Sequence, residues 1–195
     1  EAGRYAQAVL DSGPQHTFFT IDQLDLRYSA QLLRAQAHQG LGEWAPAEEA
    51  YLQAFQVQAP RRSEALGALS QLHKSLGKKA KALEVLEQAC QVDPGNLQHL
   101  FNIGVLHLEE GRLEEAQRAF AGVLGRDPGH GPSLLNLGFI AKSRGEIQEA
   151  ERLYQQVAQL QPEGVEALAN LGHLYMDAGR HAEAAYRYQA AAALP

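Results

Sequence analysis

Three asparagines, Asn102, Asn136 and Asn170, and three histidines, His38, His73 and His107, recur along the chain at intervals of 34 or 35 residues. An asparagine side chain carries a donor and an acceptor, the pair that an extended peptide backbone can satisfy. A histidine ring can ligate a metal or move a proton. The histidines fall in separate sequence copies, no paired ligand motif accompanies them, and Tyr175 and Ala141 occupy the same place elsewhere. They are therefore assigned to packing, and neither a metal site nor a cofactor is expected. Cys90 is the single cysteine, so it can form no internal disulfide and no cysteine metal site. No nucleophile motif, phosphate loop or paired-carboxylate site is found, so no catalytic residue is assigned and the chain is expected not to be an enzyme.

The elements that must position these residues share one period. Gly77, Gly111, Gly145 and Gly179 are 34 residues apart, as are Ala82, Ala116, Ala150 and Ala184, and as are Pro94, Pro128 and Pro162. Few β-branched residues and many Ala, Leu, Gln and Glu point to helices. Large apolar residues followed by a small one, as in Leu100, Ile103 and Gly104 or Leu134, Leu137 and Gly138, fall on one helical face. The spacing predicts a first helix ended by the turn glycine and a second helix ended before the proline.

This pattern resembles the tetratricopeptide repeat (TPR) family, whose unit joins two helices through a glycine turn, with a small residue in the second helix and a closing proline. The resemblance implies an all-α, right-handed superhelical solenoid of helix-turn-helix repeats. Five copies are assigned, to residues 28–62, 63–96, 97–130, 131–164 and 165–195. Residues 1–12 are read as the second helix of a truncated copy, and 13–27 as an insertion and the start of a lengthened helix. The latter follows from the period-breaking SGPQHTFFT and the 39-residue step from Gly3 to Gly42. The opening at Glu1 is expected to be a piece of a longer protein.

Glycine inside a helix costs about 0.8–1 kcal/mol relative to alanine, so Gly104, Gly138 and Gly172 call for a compensating close helix approach. Ala82, Ala116, Ala150 and Ala184 are expected to supply it by presenting only a methyl group. Glu48 with Glu49, and Glu114 with Glu115, are expected in the opening turns of second helices, where the dipole favours acidic groups.

The resemblance also implies a concave groove lined by first helices. Its most regular position holds Asn102, Asn136 and Asn170, with Phe101, Val105, Leu135, Phe139, His173 and Gln71 beside them, and these are the candidate peptide-binding residues. Val105 and Leu135 are read equally as packing against an adjacent copy. No Lys or Arg occupies the inner positions Glu64, Gly67, Ala68, Gln71, Gln98, Pro132, Glu166 and Ala169. A groove gripping a C-terminal carboxylate is therefore not expected.

The functional expectation is a non-catalytic protein-interaction scaffold holding an extended peptide. Alternatives are the substrate-recruiting arm of a larger enzyme, such as a glycosyltransferase, and a bacterial envelope scaffold. A net charge of −6 argues against nucleic acid. Without an apolar run of about 20 residues, no membrane insertion is expected. The Ala-rich end from Ala190 to Leu194 is a candidate for self-association. Compartment is left open, the cytoplasm being the default and the periplasm compatible.

Overall fold

The computed structural model describes residues 21–194, and among these every regular element is a helix. In chain order they are α1 (Ile21–Gly40), α2 (Trp44–Gln56), α3 (Ser63–Ser75), α4 (Lys79–Val92), α5 (Leu97–Glu109), α6 (Leu113–Leu124), α7 (Gly131–Ser143), α8 (Ile147–Leu160), α9 (Val165–Asp177) and α10 (His181–Ala192). The segments assigned to residues 1–12 and 13–20 lie outside the described residues. Helix α1 has 20 residues, whereas the other first helices, α3, α5, α7 and α9, each have 13.

Each first helix ends in the same backbone device. Gly77 has φ +71° and Gly145 has φ +77°, a region that glycine reaches without the steric penalty other residues meet. In the first of these turns the N–H of Lys78 donates to the carbonyl of His73 at 2.8 Å, and that of Gly77 to Lys74 at 2.9 Å. These two bonds satisfy carbonyls that the helix end leaves without partners. The same pair recurs as Glu146 to Ala141 and Gly145 to Lys142, and again as Arg180 to Tyr175 and Gly179 to Met176. Only backbone atoms accept, so the device is indifferent to whether histidine, alanine or tyrosine stands at that position.

The chain divides into two compact units, residues 1–99 and 100–195, with the division falling inside α5. In the first unit α1 packs on α2, α2 on α3 and α3 on α4. Its core joins Ala35, Ala47, Ala50, Tyr51, Leu69 and Leu72, and a second cluster joins Tyr28, Ala54, Ala59 and Ala65. In the second unit α6 packs on α7, α7 on α8, α8 on α9 and α9 on α10. Its buried clusters centre on Phe120 with Ile140, on Leu134 with Val157, and on Tyr154 with Leu171, Leu174 and Tyr175.

The turn and core patterns follow the sequence, but two details differ from expectation. The glycines inside first helices do not meet the small alanines of their partners. A Cβ at Gly104 would stand 2.7 Å from Cε1 of Phe120, one at Gly172 would stand 2.6 Å from Cε1 of Tyr188, and Gly138 faces Tyr154 in the same way. Each glycine therefore makes room for the flat ring 16 residues later, not for a methyl group. The alanines Ala82, Ala116, Ala150 and Ala184 are fully buried, so small size is used there too, at a separate contact. In the second difference, α2 begins at Trp44 and has no acidic residue in its first turn. Glu48 and Glu49 thus lie beyond it, and Glu48 sits 3.7 Å from Nε2 of His73 instead. Glu114 and Glu115 do occupy the first turn of α6.

Candidate functional site

In the second unit, first helices α7 and α9 border a recess of about 380 Å³ lined by Phe101, Pro132, Leu135, Asn136, Phe139, Tyr154, Glu166 and Asn170. Five of the candidate binding residues meet here: Phe101, Leu135, Asn136, Phe139 and Asn170. The 34-residue period places Asn136 and Asn170 at matching points of α7 and α9, so both amides reach one cavity. Phe139 is 51 % exposed, which leaves an aromatic face of substantial area in water. Phe101 is held from behind: its ring centroid lies 5.6 Å from that of Phe120 and 5.2 Å from that of His130, the latter edge to face. The fixed ring forms one wall.

Asn136 donates from Nδ2 to the carbonyl of Pro132 at 2.8 Å, which orients its amide against its own helix. Tyr154 arrives from second helix α8, its ring passing over Gly138 to the recess. Burial pushes its phenol up to about 12, so it stays protonated over the whole physiological range. Glu166 is the acidic residue of the lining. At the far end of the same two helices Lys142 pairs with Asp177 at 2.6 Å, which holds the Asp177 carboxyl below its ordinary value.

Four candidates lie elsewhere. Asn102 is half-buried on α5 and does not line this recess, so the cavity gathers two asparagines of the three. Val105 packs against Ala116, Phe120 and Ile140, the core alternative foreseen for it. His173 is exposed and stacks edge to face on Tyr188 with centroids 5.6 Å apart. Gln71 borders a separate recess of about 700 Å³ in the first unit, together with Gln36, Gln39, Trp44, Tyr51 and Ala68.

Tyr154 is a lining residue beyond the expected set, because the groove is read as lined by first helices and Tyr154 stands on a second helix. Its signal was nevertheless present, since every helix glycine at this position has an aromatic residue 16 places on: Gly104 with Phe120, Gly138 with Tyr154, Gly172 with Tyr188. Of the recurring histidines His73 is buried, whereas His38 and His107 are half-buried and Nδ1 of His38 lies 2.5 Å from Oε2 of Glu43. His73 is buried, and burial holds its ring below the ordinary histidine value, the Glu48 carboxylate opposing that shift. Among the described residues no group of three or more His, Cys, Asp or Glu side chains is arranged to hold a metal ion.

Sequence profiles of the tetratricopeptide repeat match residues 75–137 and 141–194, and a second profile of the same description matches residues 32–96. The chain belongs to the tetratricopeptide repeat family. Comparison with curated proteins gives no match. Among solved structures, MamA from Desulfovibrio magneticus is similar with a TM-score of 0.71 and 16 % identity, over 86 % of this chain and 94 % of that one. A tetratricopeptide repeat protein from Parabacteroides merdae gives 0.73 and 20 %, over 84 % and 65 %. PilF of Pseudomonas aeruginosa gives 0.72 and 18 %, over 88 % and 77 %. At these identities the likeness is one of fold: an all-α helical repeat. No described helix of this TPR chain is long and apolar enough to cross a membrane.

Proposed function

We propose that the chain is a non-catalytic protein-interaction scaffold that takes an extended peptide segment in the recess between α7 and α9. The observation that carries this is the convergence of Asn136, Asn170 and a half-exposed Phe139 on one cavity of about 380 Å³. Amides that pair with peptide backbone give affinity without reading side chains, and an adjoining aromatic face selects an apolar side chain. With Nδ2 of Asn136 already bonded to Pro132, its carbonyl oxygen is the group offered to a ligand N–H. Glu166 at the rim and the net charge of −6 favour a basic neighbour in the ligand over a carboxylate. A family whose members are generally interaction scaffolds is consistent with this, and the printed names of the structural neighbours add the fold alone.

The test is a labelled peptide selected from a random-sequence library on the purified chain. Asn136→Ala with Asn170→Ala and Phe139→Ala is expected to weaken its binding at least tenfold while leaving the helical signal intact. Unchanged affinity in that triple variant removes the recess from the function. The Ala190 to Leu194 end is proposed as a contact for a second copy, and a strict monomer by light scattering at high concentration would end that proposal.

A further inference from the structure

The recess of about 700 Å³ in the first unit differs in chemistry from the one between α7 and α9. Gln36 and Gln39 of α1, Trp44 and Tyr51 of α2, and Gln71 and Ser75 of α3 line it, and among the described residues no Lys, Arg, Asp or Glu side chain does. Gln36 and Gln71 stand at matching positions 35 residues apart, and both are exposed. Later copies carry Val105, Phe139 and His173 there, so the repeat itself does not require an amide.

Trp44 opens α2 at the position that Leu113 and Ile147 fill in later copies. Those two pack against buried clusters, whereas Trp44 is 45 % exposed. Its benzo edge rests on the preceding turn, where a Cβ at Gly42 would stand 3.7 Å from Cζ2. The backbone thus steadies an indole that borders the recess. The Tyr51 hydroxyl donates to Oε1 of Gln39 at 2.8 Å, which leaves Nε2 of Gln39 as a donor. The Ser75 hydroxyl donates to the carbonyl of Leu72 at 2.8 Å, which leaves Oγ as an acceptor. The amides of Gln36 and Gln71 each carry both functions.

We propose that this recess binds a glucopyranosyl residue of a neutral glycan, stacked on Trp44 and hydrogen-bonded through its hydroxyls to the glutamines. A lining without charge gives a carboxylate, phosphate or amine no partner to replace its water. A hydroxyl is donor and acceptor at one atom, so a vicinal pair answers the donor and the acceptor of one glutamine amide together. In β-glucopyranose every ring hydroxyl is equatorial, which leaves C–H bonds on both faces to meet the negative face of an indole. A proline-rich segment fits less well. It brings acceptors without donors and docks between several aromatic rings, whereas Tyr51 is only 2 % exposed and Trp44 is the platform. The site lies wholly in the first unit and does not rest on the recess between α7 and α9.

Trp44 is the single tryptophan of the chain, so its emission reports this recess alone. Titration with cellotriose is expected to change that emission saturably. Gln36→Ala with Gln71→Ala is expected to weaken the sugar at least about tenfold with the helical signal unchanged. If the double variant loses that signal, Gln71→Ala alone is expected to weaken the sugar about threefold. Sorbitol, which has the hydroxyls without a ring face, is expected to leave the emission unchanged. The proposal is overturned if cellotriose has no effect up to its solubility, if the folded glutamine variant binds it as tightly as the parent, or if sorbitol acts equally. A response to N-acetyl-hexaprolinamide without one to cellotriose overturns it too, and assigns the recess to a proline-rich segment.

Discussion

Gly104 and Phe120 are bound to one another sterically: a methyl group on the glycine would stand 2.7 Å from the ring, inside van der Waals contact. The relationship recurs between Gly138 and Tyr154 and between Gly172 and Tyr188. In the first unit Ser70 and Leu86 stand at the same two positions, and both are buried. Ala35 and Tyr51 hold these positions in the preceding copy and join one buried cluster, so an alanine is accommodated there with an aromatic partner, whereas Ser70 goes with the smaller Leu86.

Gly104→Ala is expected to destabilise the chain by up to about 2 kcal/mol, the overpacking of about 1–3 kcal/mol being offset by a gain of about 1 kcal/mol in helix propensity. Gly104→Ala with Phe120→Leu should recover part of that loss, the pair coupling as neighbours do. Urea unfolding measures both. Strict additivity of the two changes would separate the glycine from the ring.

His99 gives a pH dependence. It is 3 % exposed, neither ring nitrogen has a hydrogen-bonding partner among the described residues, and its ring carbon would lie 3.1 Å from a Cβ at Gly67. Burial holds it below the ordinary value of 6.5, against the opposing pull of Asp93 and Glu64. The unfolded chain therefore binds the proton first, and stability falls as pH drops below 6.5 until the depressed native value is passed. His73 adds a contribution of the same sign. His99→Ala, which installs the residue found at Ala65 and Ala167, should flatten this part of the stability profile. Parallel profiles for the two proteins would assign the acid sensitivity elsewhere.

Tyr175→Phe removes the 2.7 Å bond to Glu151 and leaves the Arg180 pairing with that carboxylate, at 2.7 Å, in place. A net hydrogen bond to a charged group contributes about 1.5–3 kcal/mol, and the expected loss in chemical denaturation is at the low end of that range because Glu151 keeps its Arg180 partner. Glu151 is held below its usual value first by Arg180 and then by the Tyr175 hydroxyl. Its contribution is present above the unfolded carboxyl value of 4.5 and is lost as pH falls through the lower native one. The Tyr175→Phe variant should lose less stability across that acid range than the parent.

Phe139 and Leu134 separate binding from folding. Leu134 is 2 % exposed and Phe139 is 51 % exposed, on the same helix. Leu134→Ala should lose about 2–5 kcal/mol through the cavity it leaves. Phe139→Ala should change stability by less than about 1 kcal/mol, its side chain being already half in water, while weakening a bound peptide. A large stability loss from Phe139→Ala would recast it as a core residue.

By itself the sequence determined the helix pairs, their turns and their closing prolines. A positive φ at Gly77 or Gly145 and a buried methyl at Ala116 or Ala150 are demands of local backbone and helical face, and a 34-residue period states them directly. It also determined that Asn136 and Asn170 stand on matching faces of α7 and α9, because they keep one angle about their helix axes. Tertiary structure alone decided what each face meets. Helix spacing and crossing bring a Phe120 ring, and not the Ala116 methyl, against Gly104, carry Tyr154 through to the recess, and turn Val105 into the core. Periodicity fixes a direction about one axis, whereas contact depends on the distance and angle to a second.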